Sequence, residues 1–224
     1  MRSYEVKNKG TTSLFRNRFL EALTRTHFAV PVSLYFIISI ALLIYAGGRP
    51  EIEFWKLSYM FPLGLLTFSF VEYAIHRWVF HFHAVTEKQL AFKYKVHGVH
   101  HEFPRDKDRL VMPPVLSVLI ALIFYGFFSL LTGKYVLLFF PGFLSGYSTY
   151  LLVHYAVHRY RPPAHFLKFL WTHHALHHYK SEDSAFGVSN PCWDYLFGTM
   201  PSKDDPSRQI SKEKAKELLG QAAK

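Results

Sequence analysis

The sequence predicts an all-α integral membrane protein: four transmembrane helices with a cytosolic helical cap that holds a histidine-rich dimetal site. Three observations carry this expectation. Four apolar runs, residues 28–47, 57–75, 111–132 and 135–153, each have about the twenty residues needed to cross roughly 30 Å of hydrocarbon. Eleven of the fourteen histidines fall into four tight clusters. The number of spans between successive clusters is even, so all four clusters emerge on one face of the membrane.

The chain reads as one domain over residues 1–224. It divides into an amphipathic amino-terminal segment (1–27), the four spans (28–158) with a cytosolic loop at 76–110, a cap (159–201) and a polar tail (202–224). Residues 1–10 are polar and expected to be loose. Thr12 or Ser13 can cap a helix that puts Phe15, Phe19, Ala22 and Leu23 on one side and Arg16, Arg18 and Arg25 elsewhere, which suits a basic segment resting on a bilayer surface. Glu72 is the ionisable residue within the second run and sits one turn before His76. Pro62 and Gly64 are expected to bend that run, a distortion membrane helices tolerate where neighbours satisfy the freed backbone groups. Gly133 and Lys134 turn the third and fourth runs into a hairpin. Ala185 to Thr199, AFGVSNPCWDYLFGT, mixes turn formers with aromatics and reads as a loop closing over the metal layer. Ser211 can cap a short charged helix ending near Leu219.

Charge fixes sidedness. The formal net charge is +10, but the apolar runs point to a membrane surface rather than nucleic acid as the partner. Of 26 Lys and Arg, only Arg49, Lys56 and Lys134 lie in the loops opposite the histidines, leaving 23 on the histidine side. By the positive-inside tendency that side is the cytosol, in a bacterial inner membrane or the endoplasmic reticulum. The lone Cys192 excludes an intrachain disulfide and thiolate metal chemistry. No GxGxxG, phosphate loop or Gly-x-Ser-x-Gly elbow occurs, so neither bound nucleotide nor a serine hydrolase is expected.

The clusters are His76 and His81; His97, His100 and His101; His154 and His158; and His173, His174, His177 and His178. Residues three and four apart share a helix face, so most of these can aim imidazoles together. His76 and His81, five apart, need a helix end or a break to converge. Neutral imidazole is the commonest protein ligand for zinc and iron. The set exceeds the four to six ligands that one ion holds, and suits two ions side by side. His27, His83 and His165 lie outside the clusters and read as interfacial or loop residues. A metal transporter needs polar groups near the bilayer midplane, which these spans lack almost entirely; a zinc-stabilised scaffold is the other non-enzyme reading.

The order HRxxFH (His76 to His81), HGxHH (His97 to His101) with RLVxPP after it (Arg109 to Pro114), HxxxH (His154 to His158), and HHxxHHY with FGVxxxxWDxxFGT after it (Phe186 to Thr199) resembles the fatty acid hydroxylase superfamily. Within it the chain is most similar to fatty acid 2-hydroxylases, over residues of about 57 to 201. The resemblance implies a membrane enzyme whose two metal ions are held by His76, His81, His97, His100, His101, His154, His158, His174, His177 and His178, with His173, Tyr150 and Tyr179 as supporting residues. It implies iron in the active enzyme, zinc as a substitute during isolation, and dioxygen as cosubstrate. The reaction implied is oxygen insertion into a long acyl chain, at the 2-position of a fatty acid or sphingolipid acyl group. Carotenoid, sterol and other lipid hydroxylases or desaturases share the histidine boxes and form the alternative; the RLVxPP run and the closing loop favour the acyl reading. Relatives often carry aspartate where this chain has Leu151, beside a matching Tyr150. Many also begin with a fused b-type cytochrome domain, whereas about 27 residues precede the first span here, so a separate cytochrome or ferredoxin/reductase is expected to deliver electrons. An unactivated C–H bond is beyond side-chain acids, bases and nucleophiles, which is why a redox metal and dioxygen are needed.

Overall fold

The computed structural model describes residues 5–201 and contains helices and no strand among them. The expected helix from Ser211 to Leu219 lies outside the described residues. Three helical stretches are long and apolar enough to cross a membrane: Ala29–Gly47, Phe54–Phe80 and Pro114–Arg159. The last, of 46 residues, is interrupted at Gly133, whose φ of 55° lies in the left-handed region that glycine enters without a Cβ clash. The long helices are α2 (Ala29–Gly47), α3 (Leu57–Ala74), α6 (Pro114–Thr132) and α7 (Val136–Arg159). Shorter ones are α1 (Arg18–Ala22), α4 (Glu87–Lys93), α5 (Val99–Glu102), α8 (Lys168–Tyr179) and α9 (Cys192–Leu196).

The described residues form two compact units, 5–12 with 72–110 and 153–201, and 13–71 with 111–152. The second is the apolar one. Its core joins Tyr35, Phe68, Phe128, Val136, Phe139, Phe140, Phe143 and Leu144. Phe128 on Phe139, Tyr125 on Phe140 and Phe124 on Phe143, with ring centroids 4.8 to 5.2 Å apart, show α6 and α7 folding back on each other past Gly133. α3 meets α7 at two glycines: a Cβ on Gly64 would strike the Phe139 carbonyl, and one on Gly142 the Phe61 carbonyl. Small residues of this kind let membrane helices approach backbone to backbone. Gly64 therefore serves close packing, while Pro62 is accommodated inside α3. Lys56 donates to Glu53 at 2.8 Å and to the Tyr135 hydroxyl at 2.7 Å, and Lys134 donates to the Glu51 carbonyl. These contacts bring together the loop after α2 and the loop after α6.

Two expectations at the amino terminus are corrected. The cap of α1 is Asn17, whose Oδ1 accepts from the amides of Phe19 and Leu20 at 2.9 and 3.1 Å, rather than Thr12 or Ser13. Asn outcompetes them because its carbonyl reaches both orphan amides of a five-residue helix. Nor is the described part of residues 1–10 loose. Lys7 bonds Glu102 through both its amide and its ammonium, each at 2.6 Å, Asn8 accepts from Tyr179 at 2.9 Å, and Thr11 donates to Asp106 at 2.5 Å. Polarity there reflects specific partners, not solvation.

Candidate metal centre

All ten histidines lie in the first unit, and all are buried. Local structure explains how each is aimed. The five-residue gap between His76 and His81 is closed by a π-helical turn, Ile75–Phe80, in which the His81 amide donates to the His76 carbonyl at 3.1 Å. Such i→i+5 turns occur mostly within α-helices at functional sites. A second π-helical turn, Tyr94–Gly98, leads into α5 and sets His97. His154 and His158 occupy the last turns of α7, and α8 carries the final cluster.

The imidazoles converge on two points. His76, His81, His97, His101 and His177 form one group, and His100, His154, His158, His174 and His178 the other. In each, one ligand atom per residue lies within 4.8 Å of all the others. A cation about 2.1 Å from each nitrogen fits that spread after a small contraction. The clusters do not map one to one onto the groups. His97 and His101 go to the first and His100 to the second; His177 goes to the first, His174 and His178 to the second. On a helix the fourth residue on lies about 40° from the first and the third about 60° the other way, so i,i+4 pairs share an ion and the residue between them serves its neighbour. His101 and His178 stack at 4.2 Å between centroids where the groups adjoin.

The donor set itself asks for cations. His76 Nδ1 meets the Phe186 carbonyl at 2.5 Å, His154 Nδ1 the Leu110 carbonyl at 2.8 Å and His177 Nδ1 the Ser184 carbonyl at 2.8 Å. Each carbonyl can only accept, so each Nδ1 carries the proton and each Nε2 presents a lone pair. Those Nε2 atoms then face other imidazole nitrogens: His76 to His97 at 3.1 Å, His154 to His100 at 3.0 Å, His177 to His81 at 3.1 Å. His178 has no hydrogen-bond partner for either ring nitrogen among the described residues. Burial, then the neighbouring imidazoles, hold His81, His97, His100, His101, His174, His177 and His178 well below the usual histidine range. They are neutral at physiological pH, the form that ligates metal.

Around the first group, Phe80 stacks on His97 at 4.7 Å, and Phe186 packs against His76, His81 and His177 at 5.7 to 5.8 Å. The closing loop hangs on two carboxylates. Fully buried Asp194 accepts from the amides of Phe186 and Gly187 (2.9 and 2.8 Å), from Thr199 Oγ1 (2.7 Å) and from His173 Nε2 (3.0 Å). Burial raises its pKa, but these donors outweigh burial and leave the carboxyl below its ordinary range. Glu72 accepts from the amides of Val188 and Ser189, both at 2.8 Å. His173 thus lies outside both groups, on Asp194. Tyr179 is tied to Asn8, and Tyr150, in the apolar unit, stacks on Tyr147. His27, His83 and His165 are exposed. The role of Asp194 was not read from the sequence, although the WD pair in a turn-rich loop beside buried histidines was the available signal.

Helices long and apolar enough to cross a membrane, with two buried histidine groups that could each hold a metal ion, are the features of a histidine-box membrane protein. The "Fatty acid hydroxylase" family profile matches residues 61–199, and the chain belongs to this family. It is 37% identical over 203 residues to the ceramide very long chain fatty acid hydroxylase scs7 of Schizosaccharomyces pombe, covering 88% of this chain and 57% of that protein. It is 30% identical over 209 residues to the dihydroceramide fatty acyl 2-hydroxylase FAH1 of Arabidopsis thaliana, covering 91% of this chain and 86% of that one. The fatty acid 2-hydroxylase of Rattus norvegicus is 37% identical over 155 residues, 67% of this chain and 42% of the relative. The chain thus spans a little over half the length of the yeast relative and less of the rat one. A solved structure described as full-length scs7p with only the hydroxylase domain visible superposes with a TM-score of 0.79 at 34% identity, covering 88% of this chain and 75% of that one.

Proposed function

We propose that the protein is a membrane-embedded, oxygen-dependent dimetal hydroxylase acting at the 2-position of a long acyl chain, in a fatty acid or a sphingolipid. The observation that carries this reading is the pair of five-histidine groups in a chain whose relatives include a fatty acid 2-hydroxylase and a dihydroceramide fatty acyl 2-hydroxylase. The proposed ligands are the ten histidines of the two groups, with His173 and Tyr179 as supports. When bound, two iron ions supply the reduction of dioxygen and the attack on the C–H bond; zinc in the same nitrogens is inert.

The chain's own residues do the rest. Nδ1–H bonds from His76, His154 and His177 to backbone carbonyls fix tautomer and ring angle. Phe80 and Phe186 exclude water from the first group. The acyl chain is bound with the carbons next to its head group at the histidines, so the distal methyl end is left alone. Electrons are supplied by a cytochrome or a ferredoxin/reductase. Expression with such a donor under labelled dioxygen, followed by fragmentation of released fatty acids, should give one labelled oxygen at the 2-position. Label on a sterol or carotenoid ring with none on acyl chains would reassign the substrate to the alternative.

We also propose four membrane crossings, α2, α3, α6 and α7, with the histidines facing the cytosol. Support comes from the return of α7 along α6, the joined loops at Lys56 and Lys134, and the skew of positive charge. The single thiol, Cys192, is exposed and is a natural reporter. It should react with impermeant maleimide only from the cytosolic side, as should a cysteine at position 105 in a Cys192→Ser background. Labelling of either from the opposite side would break the topology.

A further inference from the structure

The two histidine groups are supported from outside by different parts of the chain. In the first group, His76 and His177 lean on the carbonyls of Phe186 and Ser184. Phe186 belongs to the closing loop and Ser184 directly precedes it; Asp194 grips that loop at Phe186 and Gly187, and Glu72 grips it at Val188 and Ser189. In the second group, His154 leans on the Leu110 carbonyl. That carbonyl follows Arg109, whose Nη2 donates to the Thr12 carbonyl at 2.8 Å and whose Nε lies 3.6 Å from Asp106 Oδ2. Asp106 also accepts from Thr11, so the amino-terminal segment and the Arg109 turn form one buttress. Helix α8 is common to both groups; these carbonyl supports are not.

We infer that Asp194 and Glu72 are positioning residues for the first metal ion, and the Asp106–Arg109 pair for the second, so that each ion can be loosened without the other. This rests on the two-metal reading above. The physical reason is that a ligating imidazole holds its angle and tautomer only while its Nδ1–H has a fixed acceptor, and losing such outer partners weakens metal binding by about 10–100-fold. Asp194→Asn leaves one oxygen to serve four donors, so at least one loop amide or His173 loses its acceptor. Glu72→Ala strands the amides of Val188 and Ser189 while touching nothing on α8.

The test uses the full chain in detergent, stripped with chelator and refilled with iron(II) alone. Metal per chain is measured by mass spectrometry, and the location of each ion by anomalous scattering. Asp194→Asn and Glu72→Ala should fall from two ions toward one: the ion on His100, His154, His158, His174 and His178 is kept, and the site on His76, His81, His97, His101 and His177 is weakened about 10–100-fold. Arg109→Gln should show the reverse pattern. Glu72→Gln, whose amide oxygen still accepts from both loop amides, should restore occupancy. If Asp194→Asn fails to fold, Glu72→Ala and its rescue decide alone. Parallel loss of both ions, or retention of both, overturns the separate supports. A wild-type chain that refills to fewer than two ions instead removes the two-metal reading, and the inference falls with it.

Discussion

His177→Ala and His178→Ala, adjacent substitutions on one helix, should each remove a different metal ion. His177 belongs with His76, His81, His97 and His101, and His178 with His100, His154, His158 and His174. About 100° of helical rotation separates the two side chains, enough to send them to different ions. Each variant should retain about one ion per chain and lose turnover by well over the roughly 100-fold typical of an outer-partner loss, because the proposed reaction uses both ions. The double variant should lose both ions yet be no worse in turnover, since parts that act as a unit are not additive. His27→Ala, exposed before α2, should leave metal and activity unchanged. Elemental analysis of purified protein, alongside turnover, checks all four. Loss of both ions from either single substitution would show that the two groups are one cooperative site.

The sequence revealed the parts of this centre that obey helical periodicity or count spans. The clustering of eleven histidines, the helix faces they share and the hairpin at Gly133 follow from spacing and length alone. How those histidines divide between the groups follows helical spacing for the i,i+4 pairs, but not for His76 with His81, which depends on whether a helix is α or π over a few residues. His76 and His81 pair only through the π-helical turn Ile75–Phe80, and the backbone hydrogen-bond register is not written in hydropathy. Outer supports were hidden for another reason. Asp194 and Glu72 act on backbone amides of a loop, and His76, His154 and His177 on backbone carbonyls, so their partners have no side-chain signature. The same holds for residues 5–12, where a polar composition that reads as solvated chain is instead consumed by named bonds to Glu102, Asp106 and Tyr179.

Gly142→Ala should destabilise the apolar unit although alanine favours helix. The methyl would strike the carbonyl of Phe61, and at the same crossing one on Gly64 would strike that of Phe139. A flexible side chain can swing aside, but a backbone carbonyl moves only by shifting a whole helix, so the strain is not relieved locally. Overpacking of this kind costs about 1–3 kcal/mol, against which the helix propensity of alanine over glycine returns about 0.5–1 kcal/mol. A net loss of up to about 2.5 kcal/mol is expected for either glycine, and less than the sum of the two for the double variant, because one parting of α3 from α7 relieves both clashes. Gly126→Ala is the internal control: a Cβ there meets nothing within 4 Å, so propensity acts alone and stability should hold or rise. Thermal unfolding in detergent, followed by helical signal, compares the three. Gly142→Ala melting with or above Gly126→Ala would show that the α3–α7 approach is looser than its geometry implies.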